Sequence, residues 1–163
     1  MIDYEKLRET VATGLSKYLG CPVVRSNQNE SPPDYPYLSY TVTALIKENK
    51  GTYGVYVDEN GAQTERKPFV QTWSVTALSN NNAESVALAV KAHEWLDYVG
   101  RVYLSDNDVI VQSVGGITNR DNFLTTEYEY RNGFDVTFWL MNEVKNTSEE
   151  VIETADLKQI DYE

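Results

Sequence analysis

Two hydrophobic periods divide this chain. Between Phe134 and Leu140 the period is two: Phe134, Val136, Phe138 and Leu140 point one way, Asp135, Thr137 and Trp139 the other. Successive side chains of a strand point to opposite faces, so 126–141 reads as a long strand with one side on a core. The same alternation predicts strands at 37–47, with Leu38, Tyr40, Val42 and Ala44 in phase, and at 68–78, with Phe69, Trp73, Val75 and Ala77 in phase. β-branched and aromatic residues enrich both runs, as strands prefer. The other period is helical. Leu7, Val11, Leu15 and Tyr18 form a stripe over 3–19, with Gly14 on the same side, Asp3 as N-cap and Gly20 as stop. A second stripe, Ser85, Leu88, Ala92, Trp95, Leu96 and Val99, predicts a helix over 82–99, capped by Asn80-Asn81-Asn82 and ended by Gly100.

The connections are also informative. Val23-Val24 suits a short strand, and the proline-rich 25–36 a surface loop or, as its functional reading, a subunit contact. Within 48–67, Thr52–Val57 is strand-like and Asn60-Gly61 signals a type I′ hairpin turn, so 37–78 reads as a long hairpin with a projecting tip. Residues 101–104 and 108–114 read as short strands around the turn Asp106-Asn107-Asp108, and Gly115-Gly116 as a bulge or bend. The expected fold is α+β: a mixed or antiparallel sheet of about four main strands with two helices on one face, the projecting hairpin and an acidic C-terminal tail.

Charge sets the tail apart. The net charge is −11, and residues 142–163 carry seven acids and two lysines, a local −5. We therefore expect a folded unit over 1–141 and an acidic tail or arm over 142–163, ordered on binding a partner. A chain this acidic repels phosphate, which argues against wrapping nucleic acid. No apolar run approaches the roughly 18 residues of a membrane span. The N-terminal MIDYEKLRET has no basic-then-apolar leader pattern, so export is not expected. The single Cys21 rules out an internal disulfide framework.

Catalytic and metal motifs are sparse. The only histidine, His93, falls off the helix stripe and reads as a surface residue, and Cys21 lacks a second histidine to act as base. Asp106-Asn107-Asp108 lacks the later glycine and glutamate of a calcium loop. Glu127 and Glu129 would share a strand face and are the one candidate acid/base pair, the basis of an alternative reading as a carboxylate-dependent hydrolase. No cofactor motif is present. Twelve tyrosines and three tryptophans, by contrast, favour contact surfaces.

The motif order resembles that of phage neck or tail terminator proteins. The segments that carry the likeness span about 23–140. They are Pro36-Tyr37-Leu38-Ser39-Tyr40, then Gln71-Thr72-Trp73-Ser74-Val75-Thr76, the helix with Ala92 and Trp95-Leu96, and most specifically Ile117-Thr118-Asn119-Arg120-Asp121-Asn122-Phe123-Leu124 with Glu127-Tyr128-Glu129-Tyr130-Arg131-Asn132-Gly133-Phe134-Asp135-Val136. The resemblance implies a homohexameric ring in the virion, assembled in the host cytoplasm, that caps the head-proximal end of the tail tube. Its partners would be the tail tube protein and a neck or head-completion protein, with DNA passing unbound through the lumen and no membrane or cofactor involved. A head–tail connector or tube subunit is the alternative of the same class. Candidate interface residues are Arg120, Asp121, Glu127, Tyr128, Glu129, Tyr130 and Arg131, a dense cluster of opposite charges and tyrosines beside a strand end.

Overall fold

A computed structural model of the chain describes residues 3–48 and 54–146. Helix α1 (Tyr4–Leu19) starts where the Asp3 side chain accepts a hydrogen bond from the Lys6 amide, and stops at Gly20 in the left-handed region. Strands β1 (Val23–Arg25), β2 (Tyr37–Glu48), β3 (Gly54–Val57) and β4 (Gln63–Ser79) follow. Helix α2 (Asn82–Glu94), capped by the Asn81 side chain, runs through a π-helical turn (Trp95–Val99) into α3 (Arg101–Asp106). The chain then enters β5 (Ile110–Val114), β6 (Thr118–Asn119), β7 (Asn122–Leu124) and β8 (Glu127–Asn146). The fold is α+β with a mixed eight-stranded sheet, ordered β1-β2-β4-β8-β5; β3 pairs with β4, and β6 and β7 with β8. Among the described residues only β1–β2 is parallel.

The central pair β4–β8 is antiparallel from Gln63 opposite Asn146 to Ser79 opposite Tyr130. Its register aligns Phe69 with Leu140, Trp73 with Val136 and Val75 with Phe134, so the period-two residues share one face. Leu7, Val11 and Leu15 of α1 and Leu88, Ala89, Ala92 and Leu96 of the second helical segment join them in the core. Trp73 stacks on Tyr40 at 4.8 Å between ring centroids and meets Phe138 edge-on at 5.4 Å. Polar core residues are satisfied across elements. Gln71 donates to the Leu45 carbonyl and accepts from the Trp73 indole at 2.7 Å. Ser85 donates to the Ala77 carbonyl and accepts from Asn132, riveting α2 to the sheet.

Several expectations need correction. Among the described residues the sheet has eight strands, four of them only two to four residues long, and three helices stand where two were expected. Residues 101–104 are helical, not a strand. Short apolar runs carry no decisive period; here Gly100 keeps helical dihedrals, and the Leu104 amide bonds back to its carbonyl. The π-turn inserts an extra residue, burying both Trp95 and Leu96 and leaving Val99 51% exposed rather than on the core stripe. Gly14 and Gly100 lie close against Trp95, where an added Cβ would fall within 2.7 Å of the ring at each. Tyr18 is likewise exposed.

The hairpin turn is not type I′. Gly61 alone takes positive φ there; its amide bonds to the Asp58 carbonyl while the Asp58 amide bonds to Ala62, a type I turn closed by a glycine bulge. The Asp58 carboxylate holds it by accepting from the amides of Asn60 and Ala62. The bulge or bend expected at Gly115-Gly116 is there: the register against β8 slips by one residue between Val114 opposite Val136 and Thr118 opposite Gly133, and a further shift lies within β5 between Val111 and Ser113. His93 is not a bare surface residue: it packs edge-on against Phe134 and its Nε2 sits 3.1 Å from the Gly115 carbonyl. The start of the strand expected at Thr52 and most of the acidic tail lie outside the described residues, while 142–146 extend β8.

Candidate subunit interface

The charged cluster sits where β6, β7 and the start of β8 fold over one another. β6 pairs through Thr118 opposite Gly133 and Asn119 opposite Asn132, and the Arg120 amide bonds to the Arg131 carbonyl at 2.7 Å. This places the Arg120 side chain on the sheet face opposite the helices. Its guanidinium donates to the hydroxyls of Ser74 at 2.7 Å and Thr76 at 3.1 Å and reaches the Asp135 carboxylate at 3.3 Å. Gly133 leaves the room: a Cβ there would stand 2.9 Å from the guanidinium and 2.5 Å from the Val75 carbonyl.

Asp121 is also engaged. It accepts from the Arg131 amide at 2.7 Å and from Asn119, whose own carbonyl oxygen accepts from the Asp121 amide. Glu129, only 6% exposed, accepts from the Arg131 guanidinium on one oxygen and from the Tyr35 hydroxyl on the other. That hydrogen bond, then burial and the adjacent negative charge, push the Tyr35 hydroxyl up to about 12. The clasp ties the proline-rich loop before β2 to the start of β8. Tyr37, stacked on Tyr35 at 5.6 Å, is pushed up by burial and by Glu129.

The hairpin beyond the clasp is different. β7 and β8 pair from Asn122 opposite Glu129 to Leu124 opposite Glu127, turning at Thr125 and Thr126. Phe123 and Tyr128 pack together at 4.9 Å between centroids, yet each is 58% exposed, and Leu124 beside them is 45% exposed. Tyr128 also stacks on Tyr130 at 6.3 Å. The hairpin therefore presents an apolar tip held by a hydrogen-bonded base.

A family model described as phage neck terminator protein matches residues 9–163. The chain belongs to that family. No curated protein matches it. A solved structure whose name states no function matches 86% of this chain and 96% of that chain, at 12% identity and a TM-score of 0.44. Membership in the neck terminator family makes the chain a structural protein of the phage tail and neck, which works with other tail and neck proteins.

In this neck terminator protein the seven sequence-selected residues fall into two groups. Arg120, Asp121, Glu129 and Arg131 spend hydrogen bonds inside the subunit, whereas Glu127 and Tyr128 are exposed and Tyr130, half-buried, stacks on Tyr128. The candidate carboxylate pair is split the same way: Glu129 is held by Arg131 and Tyr35, while Glu127 lies at the open end of the hairpin. Sequence reasoning missed Tyr35, Ser74 and Thr76, which sit 94, 46 and 44 residues from their charged partners. It also passed over Phe123 and Leu124 as contact residues, although an apolar pair just before a turn was a usable signal. Among the described residues no cluster of His, Cys, Asp and Glu could hold a metal, and no helix is long and apolar enough to cross a membrane.

Proposed function

We propose that this protein caps the head-proximal end of the tail tube as a homohexameric ring, halts tube polymerisation and gives the neck or head-completion protein its docking face. Family membership over residues 9–163 is the observation that carries this reading. A tube end exposes subunit surface that would accept another subunit, so a stop requires one tube-like face and one different face. A ring is a heterologous assembly and needs two complementary edges on each subunit. The β7–β8 tip supplies an exposed apolar contact, and the Arg120 and Glu129 networks hold its base against the sheet. The net charge of −11 lets DNA pass the lumen without tight phosphate contacts. Residues 142–163 act as an acidic arm toward a partner, the first five of them continuing β8.

Deleting the gene in its phage and measuring tail lengths by electron microscopy tests this function. Overlong, variable, headless tubes are expected. Tails of normal length that fail to join heads would instead identify a connector, and normal infectious particles would refute the structural role. Phe123→Ser combined with Tyr128→Ser should reproduce the overlong tails while leaving the melting temperature nearly unchanged, because surface substitutions usually alter stability by about 0.5 kcal/mol or less.

A further inference from the structure

We infer that the ring seam joins the two lateral edges of the sheet: β6 and the β7–β8 tip of one copy lie along β1 of the next, with Phe123, Leu124 and Tyr128 seated in the groove at the end of α1. This rests on the ring reading above. The register places the two edges at one height. Val24 lies opposite Ser39, Ser39 opposite Thr76, Thr76 opposite Gly133 and Gly133 opposite Thr118, so β1 and β6 are the two ends of a single level across the sheet. β6 runs opposite to β1, so a neighbour carried sideways brings the two together as an antiparallel pair.

Both edges have backbone to offer. Among the described residues β1 pairs only with β2 and β6 only with β8. The Leu38 amide bonds to the Pro22 carbonyl and the Ser26 amide to the Tyr40 carbonyl, which turns the amides and carbonyls of Val23 and Arg25 outward. The Arg120 amide bonds inward to Arg131, which leaves those of Asn119 outward. β5 differs: α3 covers its edge, with the Val109 amide on the Leu104 carbonyl and Arg101 on the Val111 carbonyl.

The apolar parts also meet. β8 is parallel to β1, and Tyr128 to Tyr130 stand two to four levels before Asn132, where the receiving copy has Cys21, Gly20 and Leu19. There a groove of about 700 Å³ opens between α1, the proline-rich loop and α2, lined by Leu19, Cys21, Pro22, Pro36, Ala87 and Leu88. An exposed apolar tip is a hazard unless a defined partner covers it.

The charges allow the match. The tip's exposed charges are Asp121 and Glu127, both acidic, because Glu129 and Arg131 bind each other and Arg120 is held by Asp135. On the receiving side, Lys91 in the groove, Lys17 in the last turn of α1 and Arg25 on the β1 edge are exposed and form no ion pair among the described residues. The acids there are Glu9, Glu30, Asp34, Glu84, which accepts from Ser79, and Glu5, which pairs with Arg8. Four cations against five acids make this side nearly neutral in a chain of −11, and its three unpaired cations are available to the acidic tip. The two edges differ, so the contact is heterologous and propagates around a ring.

Cross-linking in assembled particles tests the seam. Within one chain β1 and β6 are four strand spacings apart, about 19 Å, beyond the reach of a short bismaleimide. Virions carry the full-length chain with Cys21→Ser, Val24→Cys and Thr118→Cys, are treated with the bismaleimide and are read on a denaturing gel. A Val24→Cys, Tyr98→Cys pair in the same background reports contacts away from the seam. The expected result is a ladder reaching the hexamer, in about tenfold excess over that control, as abutting edges raise effective concentration. Equal ladders would overturn the proposal, and so would a seam ladder that stops at the dimer, the mark of an isologous contact. Ala87→Trp tests the groove separately: the isolated variant should keep its circular dichroism and give overlong tails. Normal tails with Ala87→Trp would overturn the seating of the tip, whether or not the cysteine variant assembles. Tail length in the gene deletion is read independently, so equal ladders with overlong deletion tails discard the seam and keep the cap.

Discussion

The two ends of β8 solve opposite problems. Its beginning, Glu127 to Asp135, is dense in charge, yet most of that charge is spent within the subunit: Glu129 on Arg131 and Tyr35, and Asp135 on Arg120. Its far end, Met141 to Asn146, joins an arm whose apolar side chains remain exposed. Charge density in a sequence therefore marks where a structure is pinned as readily as where it binds. Ions are costly to leave unpaired, so they tend to find partners within the fold. Apolar residues that no helix covers have no such internal remedy, and they are the better sign of a missing partner.

The contrast is sharpest at Glu129. Glu129→Ala removes the acceptor for both Arg131 and Tyr35 and strands a half-buried guanidinium, so a loss of about 2–3 kcal/mol is expected in urea denaturation. A change under 0.5 kcal/mol would mean the clasp is not structural and would return these residues to a purely intermolecular role. Arg120→Ala should cost somewhat less, about 1–2 kcal/mol, because Ser74 and Thr76 hydroxyls and Asp135 retain access to water. Arg120→Lys should recover only part of it, since an ammonium lacks the planar fork that reaches all three. Full recovery by lysine would reduce the network to simple charge.

At the other end the expected effect on stability is smaller. Truncation after Met141 removes the β8 partners of Gln63 to Lys67, so amide protection there should fall while global stability drops by about 1 kcal/mol or less. Truncation after Asn146 should leave that protection unchanged. A large fall in melting temperature for the longer protein would show that the acidic segment packs on the core.

The smallest effect is a titration. The folded Tyr35 hydroxyl, at about 12, lies above its usual value near 10, so the neutral form is favoured by folding. The associated stability is present below about pH 10 and is lost as pH rises through about 12. Ultraviolet titration should show Tyr35 among the late-ionising tyrosines with Tyr37 and Tyr40, and its ionisation should move toward the ordinary range in Glu129→Gln. No change in that variant would break the assignment of the shift to Glu129.

Much of the fold was legible because its determinants are local. The first helix has its stripe Leu7, Val11, Leu15 and its Asp3 and Gly20 ends within one stretch of chain, and β4 and β8 announce themselves by alternation. Local signals failed where a neighbour a few residues away reset the geometry. The Asp58 carboxylate reshaped the Asn60-Gly61 turn, and the π-turn at Trp95–Val99 carried the helical path past Gly100 into residues that resemble a strand. The charged cluster at 120–131 stands out in the sequence, but which of its charges are spent inside the subunit does not.

What the sequence determined alone was therefore the class of fold, the two main strands and helices, the acidic balance and the likeness to the neck terminator family. Those properties follow from periodicity, composition and motif order, each readable along one dimension. Tertiary structure decided which charges are available and which apolar residues lack cover. Ser74 and Thr76 become the seat of Arg120 only when β4 lies against β8. Tyr35 meets Glu129 across 94 residues, and Val55 reaches the level of Val144 only through β4 between them. Availability is a property of what remains unpaired after folding, and no residue carries it before the chain has closed on itself.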